Sequence, residues 1–139
     1  ADEIGQQGVV VSIDIKKNFW GNYKVYGNNG SKKSKFNPID WAKYVEELGA
    51  GEIIVNDIEN DGVMKGYNLD LIKLISDSVK IPIVACGGAG NLNDFKVAID
   101  NGAHAVSAGS MFVFQGIRKA VLINYPSKKN LNKLFDYDR

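Results

Sequence analysis

Cysteine and histidine occur once each in these 139 residues, as Cys86 and His104, and proline only three times. One thiol excludes an internal disulfide. One imidazole cannot build a multi-histidine metal site, and no other metal-ligand spacing occurs, so no metal is expected. No apolar run approaches the roughly 18 to 20 residues needed to cross a bilayer. Charge of one sign is also missing: 17 Lys and Arg against 16 Asp and Glu leave a net charge of +1. Neither nucleic acid nor an anionic membrane is therefore an expected partner, and Lys32-Lys33 and Lys128-Lys129 read as solvated surface. The opening Ala1-Asp2-Glu3-Ile4-Gly5 has no initiator methionine, cationic start or apolar core of a leader. It reads as the tail of a helix entering a first strand, which suggests a cytoplasmic chain cut from something longer.

What the chain does have is a repeating strand-then-loop pattern. Val9-Val10-Val11-Ser12-Ile13-Asp14 is an apolar, β-branched run ending in a carboxylate. Such runs suit strands covered on both faces, as in a parallel sheet. Glu52-Ile53-Ile54-Val55-Asn56-Asp57 repeats the form, followed by a helical pattern through Leu69, Leu71, Ile72, Ile75 and Val79. Ile81 to Cys86 is the third strand, then comes a helix with Phe95, Val97, Ala98 and Ile99, and Ala103 to Ala108 is the fourth. Strands alternating with helices indicate βαβ units with right-handed crossovers. The expected fold is α/β, about four β/α units. A closed (β/α)8 barrel takes roughly 250 residues, so 139 residues correspond to half of one. Hydrophobic residues at 45% suffice for a core, but four strands leave sheet edges and apolar faces uncovered. Self-association or a missing partner half follows.

The loop from Lys16 to Asn37 is too long for an ordinary βα connection. Asn22-Tyr23-Lys24-Val25-Tyr26 alternates and Asn28-Asn29-Gly30 is a turn signal, so a hairpin lying over the C-terminal face of the sheet is expected at about 16–37. Pro38 then starts a helix carrying Trp41, Tyr44, Val45 and Leu48 on one core-facing stripe, and Gly49 stops it.

Asp14 at a strand end either caps a turn or stands where parallel α/β folds place their chemistry. Gly87-Gly88 follows a strand and opens a helix, and Gly109-Ser110 repeats the device one unit later. Glycines let backbone N–H groups approach an anion closely, and a helix N-terminus favours negative charge. Two such turns after successive strands resemble the phosphate site that barrels build after their last strands. Asp61-Gly62 either completes this cradle, Gly62 by its N–H and Asp61 by orienting the loop, or forms an ordinary Asp-Gly turn. Cys86, inside an apolar strand, reads as an inert buried thiol.

These segments, with Gly49-Ala50-Gly51-Glu52-Ile53, Gly66-Tyr67, Cys86-Gly87-Gly88-Ala89-Gly90 and Ala108-Gly109-Ser110-Met111-Phe112, resemble in order the C-terminal half of the cyclase subunit of imidazole glycerol phosphate synthase. The resemblance covers nearly the whole chain. It implies a (β/α)8 barrel that takes ammonia from a glutaminase partner and condenses it with a phosphoribulosyl formimino aminoimidazole carboxamide ribonucleotide, releasing imidazole glycerol phosphate, for histidine biosynthesis, and an aminoimidazole carboxamide ribonucleotide. It implies no cofactor. Residue by residue, it makes Asp14 the second of two catalytic aspartates, general acid and base, the first lying on a strand absent here. It makes Gly62, Gly87, Gly88, Gly109 and Ser110 holders of the substrate's glycerol-phosphate end, and Asn56 a substrate contact. Glu52, at the opposite, N-terminal end of its strand, becomes the gate through which ammonia enters.

Asn56 and Cys86 stand where the histidine-pathway enzymes often have threonine and serine. The endings Phe112-Val113-Phe114-Gln115-Gly116 and Ala120 to Pro126 resemble a sister group linked to sugar amidation in bacterial surface polysaccharides such as lipopolysaccharide. Two rivals remain from the residues alone. One is a flavin-dependent barrel whose FMN phosphate uses a similar pair of glycine turns. The other is a non-catalytic half-barrel module.

Overall fold

The computed structural model describes residues 5, 8–28, 30–115 and 120–135. The expected helix tail before the first strand, Asn29 of the turn and Gly116 lie outside them. Along the chain run β1 (Val10–Lys17), β2 (Tyr23–Gly27), β3 (Lys32–Lys33), α1 (Pro38–Glu47), β4 (Glu52–Asp57), α2 (Leu69–Ser76), β5 (Ile83–Cys86), α3 (Leu92–Asp100), β6 (Ala105–Ser107), α4 (Ser110–Val113), β7 (Phe114–Gln115), β8 (Ala120–Val121) and α5 (Lys128–Phe135). Six strands form one sheet in the order β3-β2-β1-β4-β5-β6. The four from β1 to β6 are parallel, as the βαβ reading requires. No helix among the described residues is long and apolar enough to cross a membrane.

Alternation along the strands divides the sheet into two unlike faces. Ile13, Ile15, Ile53, Val55, Ile83 and Ala85 are all but fully buried, in one cluster with Val45, Leu71, Ile72, Ile75, Phe95 and Ala98 from the helices. Each such aliphatic side chain contributes about 1.5–3 kcal/mol by leaving water. The other face is open: Val10 is 51% exposed, Ser12 and Ala105 are exposed, and Ile54 and Val84 are half-buried. A parallel sheet with one bare face lacks the cover such sheets normally have.

The long β1–α1 connection differs from expectation. Its hairpin does not roof the C-terminal face but extends the sheet sideways, β2 pairing antiparallel with the second half of β1 from Asp14↔Tyr26 to Lys17↔Tyr23. This partner draws β1 on past Asp14 to Lys17. The aspartate therefore lies within the strand rather than at its end, one residue short of where the parallel ladder with β4 stops at Ile15↔Asp57. Helix α1 is also rotated from the expected stripe. Pro38, Ala42 and Val45 are its buried residues, whereas Tyr44 and Leu48 are 46% and 63% exposed. Trp41 packs at the margin of the core, where Phe36, Trp41 and Tyr44 form their own ring cluster. Apolar pattern alone cannot tell a helix's core face from an aromatic patch at its edge.

Candidate functional site

Register across the open face lines up five side chains at one level. Tyr26, Asp14, Asn56, Cys86 and Ser107 are successive cross-strand neighbours from β2 to β6. Partners in register project to the same side. Asn56 Nδ2 donates to Asp14 Oδ1 at 2.9 Å, so the Asp14 carboxylate is held toward β4. Lys16 is on the same face, its ammonium 4.5 Å from the Tyr26 ring centroid. One level below lie Ser12, Ile54, Val84 and Ala105. Glu52, opposite Val10 in register, is lower still at the start of β4, four residues and about 13 Å along the strand from Asn56.

Above the polar row, three loops converge on a small pocket of about 30 Å³ lined by Asp61, Gly62, Cys86 to Ala89 and Ser107 to Ser110. The sequence makes this convergence possible through glycine. Gly87 and Gly88 have φ of +89° and +113°, which glycine adopts without penalty. A Cβ at Gly87 would stand 2.5 Å from the Asp57 carbonyl oxygen. The loop between β4 and α2 thus packs backbone to backbone on the β5 exit. Its shape is set by Asp57, which is 5% exposed. The Asp57 carboxylate accepts from Asn60 Nδ2 at 2.9 Å, from Asn68 Nδ2 at 2.8 Å and from the Glu59 N–H at 3.2 Å. Asn68 also caps α2, its Oδ1 accepting from the Leu71 N–H and from the Tyr23 hydroxyl of the hairpin.

One expectation about the glycine turns is corrected. Gly87-Gly88 does not open a helix: α3 begins four residues after Gly88, at Leu92, and Asn91 and Asp94 form a capping box that occupies its first N–H groups. No dipole end is presented there. Gly109 does sit directly at the start of α4, with no side chain capping it, but that helix is a single turn.

The electrostatics of the pocket are mixed. Among the described residues no Lys or Arg lines it, and Asp61 brings a negative charge to its rim. An anion there would be held by backbone N–H groups against that charge. Burial pushes the Cys86 thiol above its usual range, and the charges of Asp61 and Asp14 add to this, while hydrogen bonding with Ser107 and the Gly87 backbone opposes it. Tyr67, which donates its hydroxyl to the Ser107 carbonyl at 2.8 Å, is pushed far above the usual phenol range, first by burial.

Of the residues singled out from sequence, Asp61, Gly62, Gly87, Gly88, Gly109 and Ser110 meet at the pocket. Asp14 and Asn56 share the sheet face below it, and Glu52 is at the far end of that face. Sequence reasoning missed Ser107 as a pocket residue and Cys86 as one on the open face rather than buried among apolar side chains. Strict alternation back from Gly87 and Ala108 was the signal that places both on the open face, where Cys86 neighbours Asn56 and Ser107 neighbours Cys86. His104 serves the fold: its Nδ1 accepts from the Ile83 N–H at 3.3 Å. Among the described residues no cluster of three or more potential metal ligands occurs.

Comparison with known proteins agrees with the family resemblance. Residues 1–118 match the family described as histidine biosynthesis protein. A Pseudomonas aeruginosa protein provisionally named imidazole glycerol phosphate synthase subunit hisF2 is 46% identical over 135 residues, 96% of this chain and 53% of that protein. The Petrotoga mobilis protein named imidazole glycerol phosphate synthase subunit HisF is 45% identical over 127 residues, 91% of this chain and 50% of its own length. A Leptospira interrogans protein, again provisionally named as that synthase's subunit HisF, is 47% identical over 137 residues, 97% and 54% of the two chains. The chain spans about half the length of the curated relatives it matches.

Proposed function

The chain belongs to the histidine biosynthesis protein family, of (β/α)8 barrel type, and from that premise we propose that it is the C-terminal half of an ammonia-using cyclase that makes imidazole glycerol phosphate. The observation that carries this reading is the shared face: a carboxylate fixed by a neighbouring amide stands one level beneath a pocket built from three glycine-bearing turns. In this reading the pocket takes the phosphate of the substrate's glycerol end. Asp14 moves protons during ring closure, work that positioned carboxylates accelerate by about 10²–10⁴-fold. The first aspartate of the pair comes from the other half of the barrel, which also covers the open face. That face then becomes a lined interior through which ammonia passes upward from the Glu52 end.

The word "subunit" in the relatives' names supports a partner, and the chemistry asks for one that liberates ammonia, a glutaminase. Those names also support the histidine-pathway reading over sugar amidation.

The test is turnover of the ribonucleotide substrate by the full-length protein, supplied with ¹⁵N-labelled ammonium in place of a partner. Label should appear in imidazole glycerol phosphate, and Asp14→Asn should lower kcat at least 100-fold. Absence of labelled product from the full-length protein, or near-normal turnover by Asp14→Asn, would overturn the assignment.

A further inference from the structure

The even charge balance of the chain conceals a segregation. From Ile15 to Ile39 the sequence holds six lysines and no Asp or Glu, so the net charge of +1 is +6 on this segment and −5 on the rest. The segment forms the hairpin, and its tip carries the two most exposed aromatic side chains among the described residues, Phe19 at 95% and Trp20 at 80%. Their rings meet edge to face at 5.6 Å. The turn that presents them is closely tied: Asn18 Oδ1 accepts from the Trp20 and Asn22 N–H groups at 3.0 and 2.9 Å, the Asn18 N–H donates to the Asn22 carbonyl, and the Gly21 N–H donates to the Asn18 carbonyl. These four N–H groups need nothing from water, which is the condition for backbone to enter an apolar medium. The parallel ladder of β1 with β4 stops at Ile15↔Asp57, so Asn18 lies about 10 Å beyond the rim of the sheet and the aromatic pair clears the walls of a closed barrel. Lys17, and Lys16 opposite Lys24, occupy the first two rungs beneath the tip, and Lys32 and Lys33 form the outer edge strand.

We propose that the hairpin is a surface anchor for an anionic lipid bilayer, with Phe19 and Trp20 entering the headgroup layer and the lysines around them pairing with lipid phosphates. Aromatic rings at the water boundary, with long cationic side chains beside them, are the means by which peripheral elements hold to membranes. Each lysine near an anionic leaflet adds roughly fivefold to affinity, so the charge that the whole chain lacks is concentrated where the tip can use it. Single-stranded nucleic acid fits this geometry less well. It asks for rings standing apart to receive successive bases, whereas these two lean on each other at one point, and all six cations are lysine, with none of the planar guanidinium groups that suit nucleic-acid recognition. The anchor sets the bilayer at the end of the sheet where the glycine turns open, and it stands independently of what those turns bind.

Cosedimentation of the full-length protein with vesicles tests this, using phosphatidylcholine alone and phosphatidylcholine mixed with phosphatidylglycerol. Wild type should bind the mixed vesicles roughly tenfold or more tightly than the neutral ones and lose that preference at high salt. The double variant Phe19→Ser with Trp20→Ser should bind at least tenfold more weakly with Tm unchanged, and Lys17→Gln or Lys24→Gln should each cost roughly fivefold. Tryptophan emission should shift to shorter wavelength on adding mixed vesicles. Trp20→Phe should keep the binding and lose that shift, which places the tip itself in the lipid. Several results would overturn the anchor: no binding to mixed vesicles, binding undiminished in the double serine variant, or an RNA oligonucleotide bound through the tip more tightly than lipid. So would Trp20 emission already that of a buried indole without lipid, since the tip would then be covered by the other half of the barrel or by a second copy.

Discussion

Gly66 and Gly88 are locked together: the Gly66 N–H donates to the Gly88 carbonyl at 2.8 Å, and a Cβ on Gly88 would stand 2.3 Å from the Gly66 carbonyl oxygen. With φ at +113° on Gly88, any side chain there is both strained and in collision. The glycine is thus demanded by the packing of two loops, whatever ligand they hold. Gly109 contrasts with it, lining the same pocket with no atom within 4 Å of its would-be Cβ. Gly88→Ala should cost on the order of 2–4 kcal/mol of stability, lowering Tm and abolishing phosphate binding together. Gly109→Ala should leave Tm within a few degrees and weaken inorganic phosphate binding on its own. Parallel thermal unfolding and calorimetry decide it, and equal stability losses in the two variants would sink the distinction.

That contrast marks how far the sequence could be read. The four parallel strands and their helices were legible because apolar runs and 3.6-residue periodicity are local signals: Glu52 to Asp57 has the same bounds in the structure as in the sequence reading. Gly87, Gly88 and Gly109 were legible as pocket residues because their place after strands fixes which end of the sheet they reach. Why each is glycine was not legible, since that depends on which backbone lies opposite. The same limit hid the hairpin's true position. Alternation in Asn22 to Tyr26 identifies a strand but not its partner, and pairing with Ile15 and Lys17 is a non-local choice. The Asn56–Asp14 bond was likewise invisible, because it needs the register of β1 against β4.

Asp57, the last residue of β4, should be the polar residue on which the loop between β4 and α2 depends most. Asp57→Ala would strip the acceptor from the amides of Asn60 and Asn68, leaving donors unpaired around a 5% exposed position. A loss of about 2–4 kcal/mol is expected. Tyr23→Phe removes only the outermost bond of the network, the 3.0 Å contact to Asn68 Oδ1, and should cost about 1 kcal/mol. Urea unfolding of both variants measures this. A loss below 1 kcal/mol for Asp57→Ala would mean that the loop holds its shape without the carboxylate.

Cys86 should be a poor nucleophile although it lines the pocket. Burial raises its thiol, with Asp61 and Asp14 adding to the effect, so less thiolate is present at neutral pH than for a free cysteine. Alkylation by iodoacetamide at pH 8 should be roughly tenfold or more slower than for a cysteine peptide, recovering in urea. The sign for stability follows. The folded state holds this proton more tightly than the unfolded chain, so the thiol's contribution is neutral below the usual thiol range and turns destabilising as pH rises through it. Cys86→Ser should remove that portion of the alkaline loss, and alkylation as fast as the peptide's would contradict the assigned environment.

The open sheet face governs how the 139-residue chain behaves alone. Val10 at 51% exposure and half-buried Ile54 and Val84 form apolar surface on it with no cover among the described residues. Sheet edges add to it: among the described residues β6 has β5 on one side and no strand on the other. Both features favour association. Pairing of two copies edge to edge would cover the faces as eight β/α units do in a closed barrel, and would bring two Asp14–Asn56 pairs into one interior. Sedimentation across a concentration series should therefore give a mass above that of the monomer at micromolar concentration. Substituting Val84 and Ile54 by threonine, which leaves the buried face untouched, should shift the equilibrium toward monomer. A compact monomer at every concentration, unfolding cooperatively, would mean that the open face is satisfied by the chain itself and that no second half is needed to cover it.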